Sequence, residues 1–181
     1  VSNARRFYLN LKPSSKTWLA VLCGGVEHCA ADYAISRRSF PFYSVEFVSH
    51  GSGLLKLKKR AHPLQPGSVF SYGPGIAHEI TTKTHQPLVK YFIDFQGQDA
   101  VKLLTSARLK PGTVTSVFPS GEIQPLFDEL IRNGRRGTPG SHEICVRVLQ
   151  VLALKILDAR APLPGQDTLA FTTYQHCRKH I

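Results

Sequence analysis

Methionine is missing from all 181 residues, position 1 included. A chain that does not open on methionine is read as a piece of a longer one. Cysteine is scarce: Cys23, Cys29, Cys145 and Cys177, with no CxxC spacing among them. That argues against a disulfide scaffold or a cysteine-rich zinc module and points to free thiols in a reducing cytoplasm. No apolar run approaches the roughly 20 residues that span a bilayer as a helix, and no signal-peptide pattern opens the chain, so no membrane partner is expected. Acid is short as well. Twelve Asp and Glu stand against 23 Lys and Arg, a net charge of +11. This balance favours an anionic contact (nucleic acid, an acidic surface or an acidic ligand) about as readily as plain solubility. Tryptophan occurs once, at Trp18, and a core position is expected for it.

Hydrophobic content is 42%, enough for one domain with a core, or one domain and an appendage. The first half alternates like strands. "TWLAVLCG" (17–24) is apolar and ends at glycine; "YSVEFVSHGSG" (43–53) is β-rich and ends in a Gly-x-Gly turn. "GLLKLKKRAHPL" sets Leu55 and Leu57 against Lys56 and Lys58, and "SVFSY" and "PLVKYFIDF" (87–95) follow. Many short strands between Gly/Pro turns read as a sandwich or barrel. Lys56, Lys58, Lys59 and Arg60 read as a solvated hairpin that discourages edge pairing; without interleaved aromatics a phosphate patch there is the lesser reading. His28 beside Cys29 and His176 beside Cys177 lack metal-site spacing.

After Gly97 the pattern turns helical. "EIQPLFDELIRNG" (122–134) puts Leu126, Phe127, Leu130 and Ile131 on one stripe, with Gly134 as the expected C-cap. "RRGTPGS" is a loop, and Ser141 is the expected N-cap of a helix over 141–159. That helix carries a wide apolar arc, including Ile144, Cys145, Val148, Leu149, Val151, Leu152, Ile156 and Leu157. An arc so wide needs more than one surface, which a second helix or a second subunit can supply. "PLPGQD" is a linker, and "TLAFTTYQHCRKHI" starts something helical with a basic end.

"LQPGSVFSYGPGIAH" resembles the second half of the cupin signature, in which a glycine, a strand and a Pro-Gly turn lead to a histidine, here His78. In a metal-binding cupin a His-x-His and a carboxylate come earlier. Those positions fall near Arg37–Phe40 and at Ser44, and none is a good ligand. No metal and no cofactor are expected. The wider order is similar to the amino-terminal sensor domain of AraC/XylS-family transcription regulators. It is carried by Tyr33-x-Ile35-x-Arg37, Gly51-x-Gly53, Pro66-Gly67, Pro74-Gly75 before His78, "FIDFQG" ending at Gly97, and the two helices beyond.

That resemblance implies a mainly β protein with C-terminal helices, an α+β arrangement: a cupin-like jelly roll over 5–97, a helical dimerisation segment over 98–161, and over 162–181 a linker and the start of a truncated helix-turn-helix domain. It implies a small-molecule effector, a homodimer, DNA contacted only through the domain that is missing, and no enzyme activity. The dimer contact is expected at Leu149, Val151, Leu152 and Ile156. The metal-site positions also define an inward barrel face. Arg37, Ser44 and His78 lie on it, and alternation adds Glu46 and Ile80. On the late strand Val89, Tyr91, Ile93 and Phe95 are uniformly apolar, while Lys90, Phe92 and Asp94 are mixed. Ligand sites combine an apolar wall with a few placed polar groups, so the mixed face is assigned to the pocket. The expected ligand set is therefore Arg37, Glu46, His78, Ile80, Lys90, Phe92 and Asp94. Arg37 suits a carboxylate or phosphate, and Phe92 a ring or sugar face. The alternatives are a metal-dependent cupin enzyme, such as a sugar isomerase or dioxygenase, and a stand-alone sugar-binding cupin.

Overall fold

A computed structural model describes residues 1–118, 120–160, 173 and 177. The expected linker and truncated DNA-binding start at 162–181 lie outside the described residues, apart from Thr173 and Cys177.

Nine strands come first: β1 (Asn3–Tyr8), β2 (Ala20–His28), β3 (Ala34–Arg37), β4 (Tyr43–His50), β5 (Gly53–Leu57), β6 (Arg60–Leu64), β7 (Ser68–Tyr72), β8 (His78–Thr82) and β9 (Val89–Gln96). Then follow α1 (Ala100–Ser106), β10 (Thr113–Ser116), α2 (Ile123–Arg136) and α3 (Ser141–Asp158). The strands make two antiparallel sheets. The larger runs β1-β2-β9-β4-β7-β10 and the smaller β3-β8-β5-β6. This is the mainly β jelly roll with helices expected from the strand-then-helix order, and cupin-like as the resemblance implies.

Alternation along the strands divides the molecule into two cores. Between the sheets lie Val48, Leu55, Leu57, Leu64, Phe70, Ile80 and Leu88, all fully buried. The other face of the large sheet carries Val21, Val45, Phe47, Tyr91, Ile93 and Phe95, and the helices close over it. Phe127 of α2 stacks on Phe47 with centroids 6.0 Å apart and meets Tyr91 at 5.6 Å. Burying such a ring contributes about 1.5–3 kcal/mol, so the helices belong to the fold and are not an appendage.

Several expectations change here. The β layer does not end at Gly97: β10 returns to pair with β7, and α1 precedes it. The helix expected over 122–134 is Ile123–Arg136, and Gly137, at φ 62, caps it in the left-handed conformation. Gly134 lies inside the helix because the Phe7 ring packs against it, where a Cβ would come within 2.1 Å of that ring. Ser141 is the first residue of α3, not its cap; Gly140 holds the cap position, and the Ser141 hydroxyl accepts a hydrogen bond from the Thr138 N–H at 2.9 Å. Trp18 is 68% exposed rather than core.

The expected dimer residues also move. Leu149, Leu152 and Ile156 are buried within the chain, on the face of α3 that also carries Cys145. The large sheet, α1 and α2, all of the same chain, cover that face. Of the expected four only Val151 is exposed, on a stripe with Ile144 and Leu154.

Candidate functional site

The barrel opens into a cavity of about 310 Å³ at one end. Its wall is built by alternation. On β9, Lys90, Phe92 and Asp94 point between the sheets while their neighbours pack under the helices. On β4, Glu46 and Ser44 stand opposite Phe92 and Asp94. On β2, Cys23 pairs with Asp94 and Glu27 with Lys90; Arg6 of β1 reaches in from the edge.

The polar side chains form one chain of contacts. Arg6 donates to Glu27 Oε1 at 2.6 and 3.1 Å. Lys90 Nζ lies 2.8 Å from Glu27 Oε2 and 2.9 Å from Glu46 Oε2. The Tyr72 hydroxyl donates to Glu46 Oε1 at 2.5 Å. The ammonium also sits over the rings of Phe92 and Tyr33, at 5.6 and 5.7 Å. Burial would strip Lys90 of its proton, but Glu46 and Glu27 outweigh it and hold the ammonium pKa well above its ordinary value. Burial also pushes Glu27 up, yet Lys90 and Arg6 together bring it below the usual carboxylate value. Burial and the Glu46 carboxylate raise the Tyr72 phenol well above its usual value, so that it stays a donor.

Beside this closed network stand groups with spare capacity. The Tyr33 hydroxyl and Asp94 Oδ1 are buried without a hydrogen-bond partner among the described residues. Burial raises the Asp94 carboxyl to about 6, against the pull of Ser44 and of the Cys23 thiol, whose sulfur is 3.3 Å away. Arg37, half-buried on the cavity wall, lies over the Phe40 ring at 5.1 Å and has no carboxylate partner among the described residues. The site can thus offer an unneutralised guanidinium, a phenol, a buried carboxyl and the face of Phe92.

Five of the expected ligand residues, Arg37, Glu46, Lys90, Phe92 and Asp94, line this cavity. His78 and Ile80 do not. His78 is 1% exposed and its ring stacks on Tyr72 at 3.9 Å, so Tyr72 takes the place on the wall. Its Nδ1 is 3.3 Å from the Ile76 carbonyl, and burial lowers its pKa. Ile80 is sealed in the inner core at 1% exposure. Sequence reasoning missed Arg6, Cys23, Glu27, Tyr33 and Tyr72. Glu27 carried a signal, a lone acid in the apolar run "AVLCGGVEH" two residues after Gly25 and four after Cys23.

The cupin metal positions do not fit a metal ion. Arg37 stands directly opposite His78 in the β3–β8 register, and Ser44 occupies the carboxylate position. A fixed cation beside the one imidazole opposes a divalent ion. Among the described residues no three His, Cys, Asp or Glu side chains gather as ligands.

A jelly roll with an open cavity that sets Lys90, Glu46 and Asp94 beside Phe92 and Tyr33 has the form of a cupin-like binding domain. The sequence pattern of the AraC-like ligand binding domain matches residues 24–144, two thirds of the chain, and the protein belongs to that family. Solved structures are similar over part of the chain, at low identity. YhaK from Escherichia coli is 11% identical over 64% of this chain and 51% of its own, with TM-score 0.48. A Cupin 2 conserved barrel domain protein from Salinispora arenicola is 16% identical over 57% of this chain and 82% of its own, with TM-score 0.41. A cupin protein from Bacteroides fragilis is 12% identical over 50% and 86%, with TM-score 0.39. No curated protein matches in sequence.

Proposed function

We propose that this chain is the sensor domain of an AraC-type transcription regulator, binding a small hydroxylated effector, a sugar or an organic acid, in the barrel. The observation that carries the reading is the pairing pattern in the cavity. Lys90 and Arg6 are already neutralised by Glu46 and Glu27, which leaves Arg37 for an anionic or strongly polar group. Tyr33 and Asp94 then meet hydroxyls, and Phe92 the apolar face of the ligand. The cavity volume is at the lower end of the usual range for ligand sites, about 300–1,000 Å³, which suits a compact metabolite. The role is read as binding and not catalysis: Glu27 and Glu46 are held by cations, and Asp94, buried and raised to about 6, serves as a hydroxyl partner. Reading the operator falls to a separate domain, in the cytoplasm, and two copies pair through the exposed Ile144, Val151 and Leu154 of α3.

A thermal-shift screen with sugars and organic acids tests the central point. A true effector stabilises the fold by about 2.7 kcal/mol at a hundredfold excess over Kd. That stabilisation is expected to disappear in Arg37→Ala and Phe92→Ala, while both variants fold. An effector whose binding survives both substitutions binds elsewhere, and the barrel reading fails.

A further inference from the structure

The opposite side of the large sheet carries a second concave surface that the barrel does not use. Arg5 of β1 and Arg132, Arg135 and Arg136 of α2 surround an open depression of about 600 Å³, with Asp128 and Ile131 in its wall. Strand alternation explains the split: Arg6 turns into the barrel cavity, and Arg5 faces the helix. Helical spacing brings positions 128, 132, 135 and 136 onto one stripe. The acid present is already engaged. Asp128 pairs with Arg5 at 3.5 Å and lies against the Tyr91 hydroxyl, and Glu129 pairs with Arg132. Arg135 and Arg136 are exposed and have no carboxylate partner among the described residues.

All the cations here are arginine, whose planar fork matches phosphate oxygens by paired hydrogen bonds. The other basic cluster, Lys58, Lys59 and Arg60, is different. It sits on the β5–β6 turn, where Lys58 donates to the Pro111 carbonyl at 3.2 Å. It is the built-in control for a merely diffuse charge effect.

We propose that the Arg5, Arg132, Arg135 and Arg136 depression seats the phosphate backbone of duplex DNA without reading its bases. This rests on the regulator reading above and adds a DNA contact to the sensor domain itself. A polyanion is favoured over a single small anion by exposure. One ion pair in water gains little, whereas several arginines along a duplex release condensed counterions together.

The test uses the 181-residue chain and a short fluorescent duplex of arbitrary sequence, with anisotropy read between about 50 and 200 mM salt. The expected result is sequence-independent binding whose log–log salt slope is about −3.6, from roughly −0.9 for each of the four arginines. Arg135→Ala with Arg136→Ala is expected to bring the slope down by about 2. Arg135→Lys with Arg136→Lys keeps the charge and should keep most of the slope, which guards against a folding defect in the alanine pair. Lys58→Ala with Lys59→Ala should leave the slope unchanged. No binding at low salt, an equal loss from the hairpin pair, or binding of pyrophosphate without binding of duplex would each overturn the proposal. Effector-induced thermal stabilisation is read in the same samples. If it persists where duplex binding is absent, this proposal alone falls and the sensor reading stands.

Discussion

The two faces of β9 are made by one eight-residue stretch and obey opposite rules. On the helix side Tyr91, Ile93 and Phe95 are apolar or aromatic and pack under Phe127 and Leu149. On the barrel side Lys90 and Asp94 are almost as deeply buried, at 3% and 6% exposure, yet both are ionisable. The apolar face is held by close packing, whose cost when disturbed depends on the gap left behind. On the charged face Lys90 is held by mutual neutralisation with Glu27 and Glu46, each tolerated only while its partner is present, and Asp94 by holding its proton up to about pH 6. A buried ion network adds little net stability over a well-packed apolar substitute, so its place opposite an apolar wall fits a binding role.

The largest effect should come from breaking that neutralisation. Lys90→Ala leaves Glu46 and Glu27 facing each other without their shared cation, and a loss of about 3–5 kcal/mol is expected in urea unfolding. Replacing Lys90 by Met together with Glu46 and Glu27 by Gln should recover most of it. A triple variant as unstable as the single one would show that the network is structural in the same sense as the apolar face.

Asp94 sharpens the comparison by pH. Its folded pKa, about 6, lies above the ordinary 3.8. Between those values the folded state holds a proton that the unfolded chain has released, so this group makes stability fall as pH rises through the window. The cost persists above it. Asp94→Asn should therefore be more stable than the parent above pH 6, by up to about 3 kcal/mol, and lose that advantage below about pH 4. Glu27, lowered in the fold, has the opposite sign, stability being lost as pH falls. It is common to both proteins and drops out of the difference, so a flat difference curve between pH 4 and 7 would sink the assignment.

The smallest effect on folding belongs to the face of α3 left exposed among the described residues. Val151→Glu should change stability by no more than about 0.5 kcal/mol, since the side chain is 44% exposed. Light scattering should nevertheless show it converting a dimer to a monomer. A wild-type monomer at micromolar concentration removes the pairing. Leu149→Glu, by contrast, should unfold the chain, because Leu149 belongs to the apolar core.

The legible parts of the sequence were those where one physical rule acts alone. Period-two alternation separated the two faces of β9 and placed Lys90, Phe92 and Asp94 together with Glu46 across the pair. It misled at His78 and Ile80. They share the inward direction but sit deeper, His78 against the Tyr72 ring and Ile80 in the inner core, and alternation reports direction without depth. Arg6 and Tyr33 come from segments that meet the site only through tertiary folding, and nothing local marks them. The wide arc of α3 was read as needing more than one surface. Sequence pattern does not say whether the further surfaces are in the same chain, and here α1 and α2 supply them beside the sheet.

Trp18, the one indole of the chain, stands on the surface beside α1 and α3, where Leu103, Val146 and Arg147 share its groove. An indole already in water emits at long wavelength in the folded protein as in the unfolded one. Intrinsic tryptophan emission will thus be nearly blind both to unfolding and to an effector entering the barrel, which is lined by tyrosine and phenylalanine instead. The same indole becomes a sensitive lamp for anything that settles over the α1–α3 groove: a blue shift on concentrating the protein would report self-association, with no label attached.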